Sequence, residues 1–220
     1  MFSLFGLSSL IGSFVLIFIF AKLIGKKDIT QKYFALFALC KGLWMFVDII
    51  SISYNDLVIT EFTARLSMFF LTAGMVFLLD FTFYINDWLS KHLNKFTVIG
   101  LIAVFYFLMA PSFYVIETID SVSIRRVDFS QPSFYAVVAV TTLGYFGSGL
   151  SFLSIGFRLK EGFSKKKAIV TGICLIIAYF WGFSTALIRE VDLKLLLEGV
   201  IGPLLMIVIA YTIFWTKPKK

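Results

Sequence analysis

The stretch Leu4–Leu23, LFGLSSLIGSFVLIFIFAKL, holds a single charge, Lys22, and that lies next to its end. Wound as an α-helix, a run of this length reaches about 30 Å, the thickness of a bilayer's hydrocarbon core. Six further runs of similar character come after it: Tyr33–Ser53, Phe62–Ile85, Phe96–Ser112, Phe134–Phe157, Ala168–Ile188 and Leu195–Phe214. Lipid offers no partner to exposed backbone groups, so spanning runs must be helices or closed barrels. Barrel strands are ~10-residue segments of alternating character. These runs are too long and too evenly apolar for that. The sequence therefore predicts an all-α membrane protein, a bundle of seven transmembrane helices over residues 1–215 with a short basic tail at 216–220.

Composition agrees. Hydrophobic residues make up 60% and charged residues 15%, where a soluble domain carries about 25% charged. The mean hydropathy of +0.94 leaves no room for a wet surface around a soluble core. The 27 phenylalanines read as lipid-facing and helix-packing bulk. Cys40 and Cys174 both fall inside runs, where they act as small apolar residues, and no zinc spacing or disulfide framework exists. His92 is the one histidine and sits in a connection, as a solvated residue. No cofactor and no metal is expected. Only Met-Phe-Ser precedes the first run, with no basic region and no cleavage pattern, so it reads as a retained span.

The net charge of +7 is distributed by connection. Lys22, Lys26, Lys27 and Lys32 flank the first; Lys91 and Lys95 the third; Arg158, Lys160, Lys165, Lys166 and Lys167 the fifth. With Lys217, Lys219 and Lys220 of the tail they number fourteen, against four (Arg125, Arg126, Arg189, Lys194) in the alternate connections. Short loops rich in Lys and Arg stay cytoplasmic. The expected orientation is amino terminus outside and carboxyl terminus inside, in the cell membrane. The basic excess reads as orientation and contact with anionic lipid, not as a nucleic-acid footprint.

Most connections are short, but Phe113–Ser133 is longer. It holds Tyr-Val-Ile-Glu-Thr-Ile, then Asp120-Ser121, then Val-Ser-Ile-Arg-Arg-Val, between Pro111 and Pro132. Two β-branched runs around a short turn predict a hairpin between helices four and five, over the outer mouth of the bundle. It serves there as a plug or as a lid.

Ionisable residues inside spans are costly and usually face the bundle interior. Here they are Lys41, Asp48, Arg65, Asp80 and Glu198. Helical rise puts Asp48 and Arg65 nearly level below the outer end, which predicts that they pair. Lys41 and Asp80 form a secondary pair some ~12 Å out of level, loose or water-bridged, with Asp80 close to the inner interface. Trp44, one turn deeper than Asp48, is placed to floor a site made of Asp48, Arg65 and Glu198. That polar cluster is either a structural strut or a ligand chamber. An anionic or zwitterionic, partly apolar ligand suits it if Arg65 faces inward.

Small residues at four-residue spacing (Gly144/Ser148, Gly147/Ser151, Gly182/Ala186) allow close helix approach. Gly202-Pro203 in the last run predicts a bend, because proline removes a backbone donor.

Several of these stretches together resemble the amino-terminal seven-helix sensory region of prokaryotic histidine kinases. They are Phe34-Ala-Leu-Phe-Ala-Leu-Cys-Lys-Gly-Leu-Trp44, Phe62-Thr-Ala-Arg65-Leu-Ser-Met-Phe, Ile-Arg125-Arg126-Val, and Gly202-Pro203 with Ile209-Ala-Tyr-Thr-Ile-Phe214. The likeness runs from about Gln31 to Phe214. It implies a sensory module that is not itself an enzyme. Family members continue into a signalling helix and a kinase; here Trp215-Thr-Lys-Pro218-Lys-Lys comes next, so the expected output is through a separate signalling protein or a homo-oligomer.

The expected function is a receptor-like integral membrane sensor binding a small or lipid-like ligand near the outer surface. The alternative is a small transporter or a membrane subunit of a transport complex. No internal repeat and no paired broken helices favour the alternative. A retinal protein would need a lysine within Leu195–Phe214, and there is none. An intramembrane enzyme would need a cluster of His, Asp and Glu that the spans do not hold.

Overall fold

The computed structural model describes residues 4–53, 56–86, 93–109, 115–119, 122–126, 131–160, 162–186 and 191–215. Helix α1 covers Leu4–Ile24, α2 Ile29–Ser53, α3 Leu57–Ile85 and α4 Leu93–Met109. Strands β1 (Val115–Ile119) and β2 (Val122–Arg126) pair antiparallel, from Val115↔Arg126 to Ile119↔Val122, and β2 lies beside α2. The turn residues Asp120 and Ser121 lie outside the described residues. Then come α5 (Gln131–Thr141), π-helical turns at Thr142–Gly147, α6 (Ser148–Arg158), α7 (Phe163–Ala186), α8 (Val191–Ala210) and a second π-helical segment at Tyr211–Trp215.

Among the described residues, six rods are long and apolar enough to cross a membrane: Leu7–Ile24, Ile29–Ile50, Val58–Ile85, Tyr135–Arg158, Ser164–Ser184 and Leu196–Phe214. The fourth run of the sequence differs from these. Its apolar stretch is Lys95–Tyr106, within a helix of 17 residues, which is about 25 Å by helical rise.

Local chemistry sets the helix starts. The Asp56 carboxylate accepts from the N–H groups of Val58 and Ile59, at 2.8 and 3.1 Å, and caps α3. Asp28 accepts from the Thr30 N–H and hydroxyl at 2.9 and 2.7 Å and opens α2. Inside α3 the hydroxyls of Thr63, Thr72 and Thr82 donate to carbonyls one turn back, at 2.7, 2.7 and 2.8 Å. Self-satisfied hydroxyls can sit in an apolar medium without a neighbour's help.

Helices α1, α2 and α3 pack side by side. α8 closes on α1, α7 on α8 and α6 on α7, while the π turns lean on both α3 and α7. α4 packs on α3. Two close approaches fix this arrangement. Pro203 has no N–H for the Gly199 carbonyl four residues earlier, and that oxygen lies against Gly12 of α1, where an added Cβ would stand 2.5 Å from it. A Cβ on Gly199 would in turn strike the α1 backbone at Ser8 and Ser9. α8 stays helical through Pro203.

At the end where α2 begins, the core is aromatic. The ring of Phe34 lies 5.9 Å from Phe37, 5.5 Å from Phe81 and 5.4 Å from Phe214, and Phe81 lies 5.6 Å from Phe152. Phe34, Phe37 and Phe81 are fully buried. Such pairs add roughly 0.5–1.5 kcal/mol each beyond burial.

Candidate functional site

Above the aromatic end, α2, the first π turns, α7 and α8 enclose a cavity of about 40 Å³. α2 supplies Lys41 and Trp44, three residues apart and so on one face. The π turns supply Tyr145. α7 contributes Ala178, Trp181 and Gly182, and α8 contributes Glu198, Gly202, Leu205 and Met206, at helical spacing on both.

The Lys41 ammonium rests on rings. Nζ lies 3.5 Å from the centroid of Trp44 and 5.8 Å from that of Tyr145. A desolvated cation over an indole face gains about 2 kcal/mol. The charges of Glu198 and Asp48 both act on Lys41. The buried indole nitrogens of Trp44 and Trp181 find no hydrogen-bond acceptor among the described residues, a costly condition for a buried donor.

Tyr145 reaches the cavity because of the π turns. One wider turn rotates all later residues by about 100° relative to an unbroken α-helix. Gly144 allows the approach to α3, since a Cβ there would lie 2.6 Å from Met75 Sδ. On the other side the hydroxyls of Thr142 and Tyr179 hydrogen-bond at 3.0 Å and tie the π turns to α7.

Of the residues singled out from sequence, Lys41, Trp44 and Glu198 come together at the cavity. Asp48 is buried on the same face of α2, two turns from Lys41, and its Oδ1 accepts from Ser67 of α3 at 3.1 Å. Arg65 is placed differently from its expected pairing with Asp48. Its Nη2 and Nε donate to Glu61 Oε1 at 2.6 and 3.2 Å, and its Nη1 to the Leu108 carbonyl of α4 at 3.4 Å. The reason is angular. Ser67 faces Asp48, and a residue two positions away on a helix points about 200° round. Arg65 therefore turns toward α4 and does not line the cavity.

Asp80 has Thr97, not Lys41, as its hydrogen-bond partner among the described residues. It is fully buried between α3 and α4, with Oδ2 accepting from Thr97 at 2.7 Å and Oδ1 without a partner among the described residues. Lys41 is engaged instead by the two rings.

Tyr145 and Trp181 escaped the sequence reading. Their only signal is an aromatic side chain next to a glycine in mid-run, Gly144-Tyr145 and Trp181-Gly182. Among the described residues no three His, Cys, Asp or Glu side chains cluster as a metal site.

The cavity thus offers an ammonium group and two indoles on aromatic walls, with a carboxylate facing them from α8. No protein-family model matches the chain, and no curated protein matches it significantly.

Proposed function

We propose that the chain is a receptor-like membrane module that binds a small or lipid-like ligand in the cavity between α2, α7 and α8. Its occupancy is passed to a signalling partner. The observation that carries this reading is the pairing of a polar, aromatic-walled cavity with a closed aromatic floor. Lys41, Trp44, Trp181 and Glu198 gather on one side; Phe34, Phe37, Phe81 and Phe214 fill the other. A binding chamber needs the first and tolerates the second, whereas a through path does not.

In this reading α4 completes a set of seven helices. The amino terminus faces outward, in line with the basic connections, and the β1–β2 ladder lies on the outer side. The module performs no catalysis, and its resemblance to the sensory region of histidine kinases names the kind of partner it works through. The setting is the cell membrane of a prokaryote. α8 carries the response, because it lines the cavity from Glu198 to Met206, holds the bend-prone Pro203 within that stretch and runs on into its π-wound end.

One observation favours a transporter or transport subunit as the second reading. Asp80 is a buried carboxyl in the opposite half of the bundle, where a path would need a polar group. Proteoliposomes separate the two. Saturable binding of a component of a membrane lipid extract, weakened by Lys41→Met and without counterflow of any solute, is the expected outcome. Counterflow would transfer the assignment to transport.

A further inference from the structure

The geometry narrows what the cavity can accept. Arg65, the cation that would draw an anion, is held by Glu61 and the Leu108 carbonyl on the α4 side. The cation that lines the cavity is Lys41, and the Glu198 carboxylate lines it too. An anion entering here would meet the Glu198 carboxylate beside the one positive charge. The unused capacity lies in donors. The cavity-lining indoles of Trp44 and Trp181 have buried N–H groups without acceptors among the described residues, and the Lys41 ammonium is set on rings. Donors facing a site that disfavours added negative charge suit neutral oxygen acceptors, above all carbonyls.

Size and opening decide the rest. A volume of about 40 Å³ admits a carbonyl group but no long chain. Gly182 and Gly202 supply the way out. Both line the cavity, Gly182 is exposed, and a Cβ built on either meets no neighbouring atom of the described residues within 4 Å. The two helices also carry exposed apolar side chains, among them Phe183 at 46% and Leu204 at 53%. On a rod that crosses a bilayer, such an exposed face meets acyl chains.

We propose that the cavity takes the uncharged, carbonyl-bearing head of a membrane amphiphile that enters sideways between α7 and α8, past Gly182 and Gly202. Its chain stays in the lipid. This rests on the ligand-binding reading above and narrows it to one class of ligand and one route.

The full chain, with Trp88→Phe and Trp215→Phe so that Trp44 and Trp181 report alone, is placed in nanodiscs. Three probes are compared: a monoacylglycerol with a brominated chain, the matching brominated fatty acid at mildly alkaline pH, and a short-chain ester without a tail. The expected result is saturable quenching by the monoacylglycerol, with the fatty-acid anion and the tail-less ester each weaker by about tenfold or more. Gly182→Leu, whose side chain grows into open space, is expected to abolish the saturable component. Gly25→Leu, equally open but outside the cavity, leaves it unchanged. Equal or tighter binding of the anion overturns the uncharged head. Equal binding of the tail-less ester, or no effect of Gly182→Leu, overturns the lateral route while leaving ligand binding in place. Quenching that never saturates overturns the site for this class altogether.

Discussion

Lys41 and Trp44 sit one helical turn apart on α2, with the ammonium nitrogen 3.5 Å from the centroid of the indole ring. The charge is thereby held over a π face at the centre of the bundle, under the influence of Glu198 and Asp48. Removing the ring strips the cation of its nearest support. Trp44→Leu is expected to destabilise the purified protein by about 2 kcal/mol beyond the loss of apolar area. A double-mutant cycle with Lys41→Met, read by unfolding in mixed micelles, should return a coupling of that order. A coupling near zero would show that the ring is packing bulk only.

The partners of Asp48 and Arg65 can be separated in the same way. Asp48 and Ser67 share a buried hydrogen bond, so their cycle is expected to give about 1–2 kcal/mol. Arg65 and Glu61 are partly exposed, with side-chain exposures of 17% and 45%. Their i, i+4 pair is worth well under about 1 kcal/mol. Asp48→Ala and Arg65→Ala should simply add. A coupling between those two above about 1 kcal/mol would restore the pairing that helix depth alone suggests.

Close approach of α1 to α8 yields a packing test. Gly12 faces the Gly199 carbonyl, whose helical donor Pro203 removes. Gly12→Val forces side-chain atoms into that backbone contact, and overpacking of this kind costs roughly 1–3 kcal/mol. Gly182→Val, with open space at its Cβ, should change the melting temperature little. Equal losses at the two positions would mean that the α1–α8 contact is looser than described.

Sequence legibility differs between features because each is encoded differently. A spanning helix must keep its backbone bonds internal and its side chains apolar, so the long rods stand out as unbroken runs. The fourth run is weaker for a stated reason: Lys95 sits near its start and Pro111 just past its helix, leaving a shorter apolar stretch. Depth along a helix is legible from residue counts, and it put Asp48 level with the stretch of α3 that holds Arg65 and Ser67. Azimuth is not. Arg65 and Ser67 are nearly level on α3, and about 200° of rotation decides which one meets Asp48. Tyr145 was hidden for a related cause, since π turns shift the facing of every later residue without leaving a sequence mark. Trp181 lies on a regular helix, but its neighbours on α2 and α8 are fixed by packing that no local pattern shows.

Asp80 allows a test by removal of charge. A buried carboxyl with one oxygen unpartnered among the described residues is held in place chiefly by Thr97. Thr97→Val should therefore destabilise by roughly 1–3 kcal/mol, the cost of leaving a buried polar group unsatisfied. Asp80→Leu is expected to be far milder, because replacing a buried polar group with an apolar one of similar volume is often neutral. In the Asp80→Leu background the penalty of Thr97→Val should largely vanish, since a valine then faces a leucine. Thermal unfolding of the four proteins decides the matter. If Asp80→Leu is itself the most damaging of the set and Thr97→Val is silent, the carboxylate has a stronger partner than Thr97, and the α3–α4 contact rests on that partner.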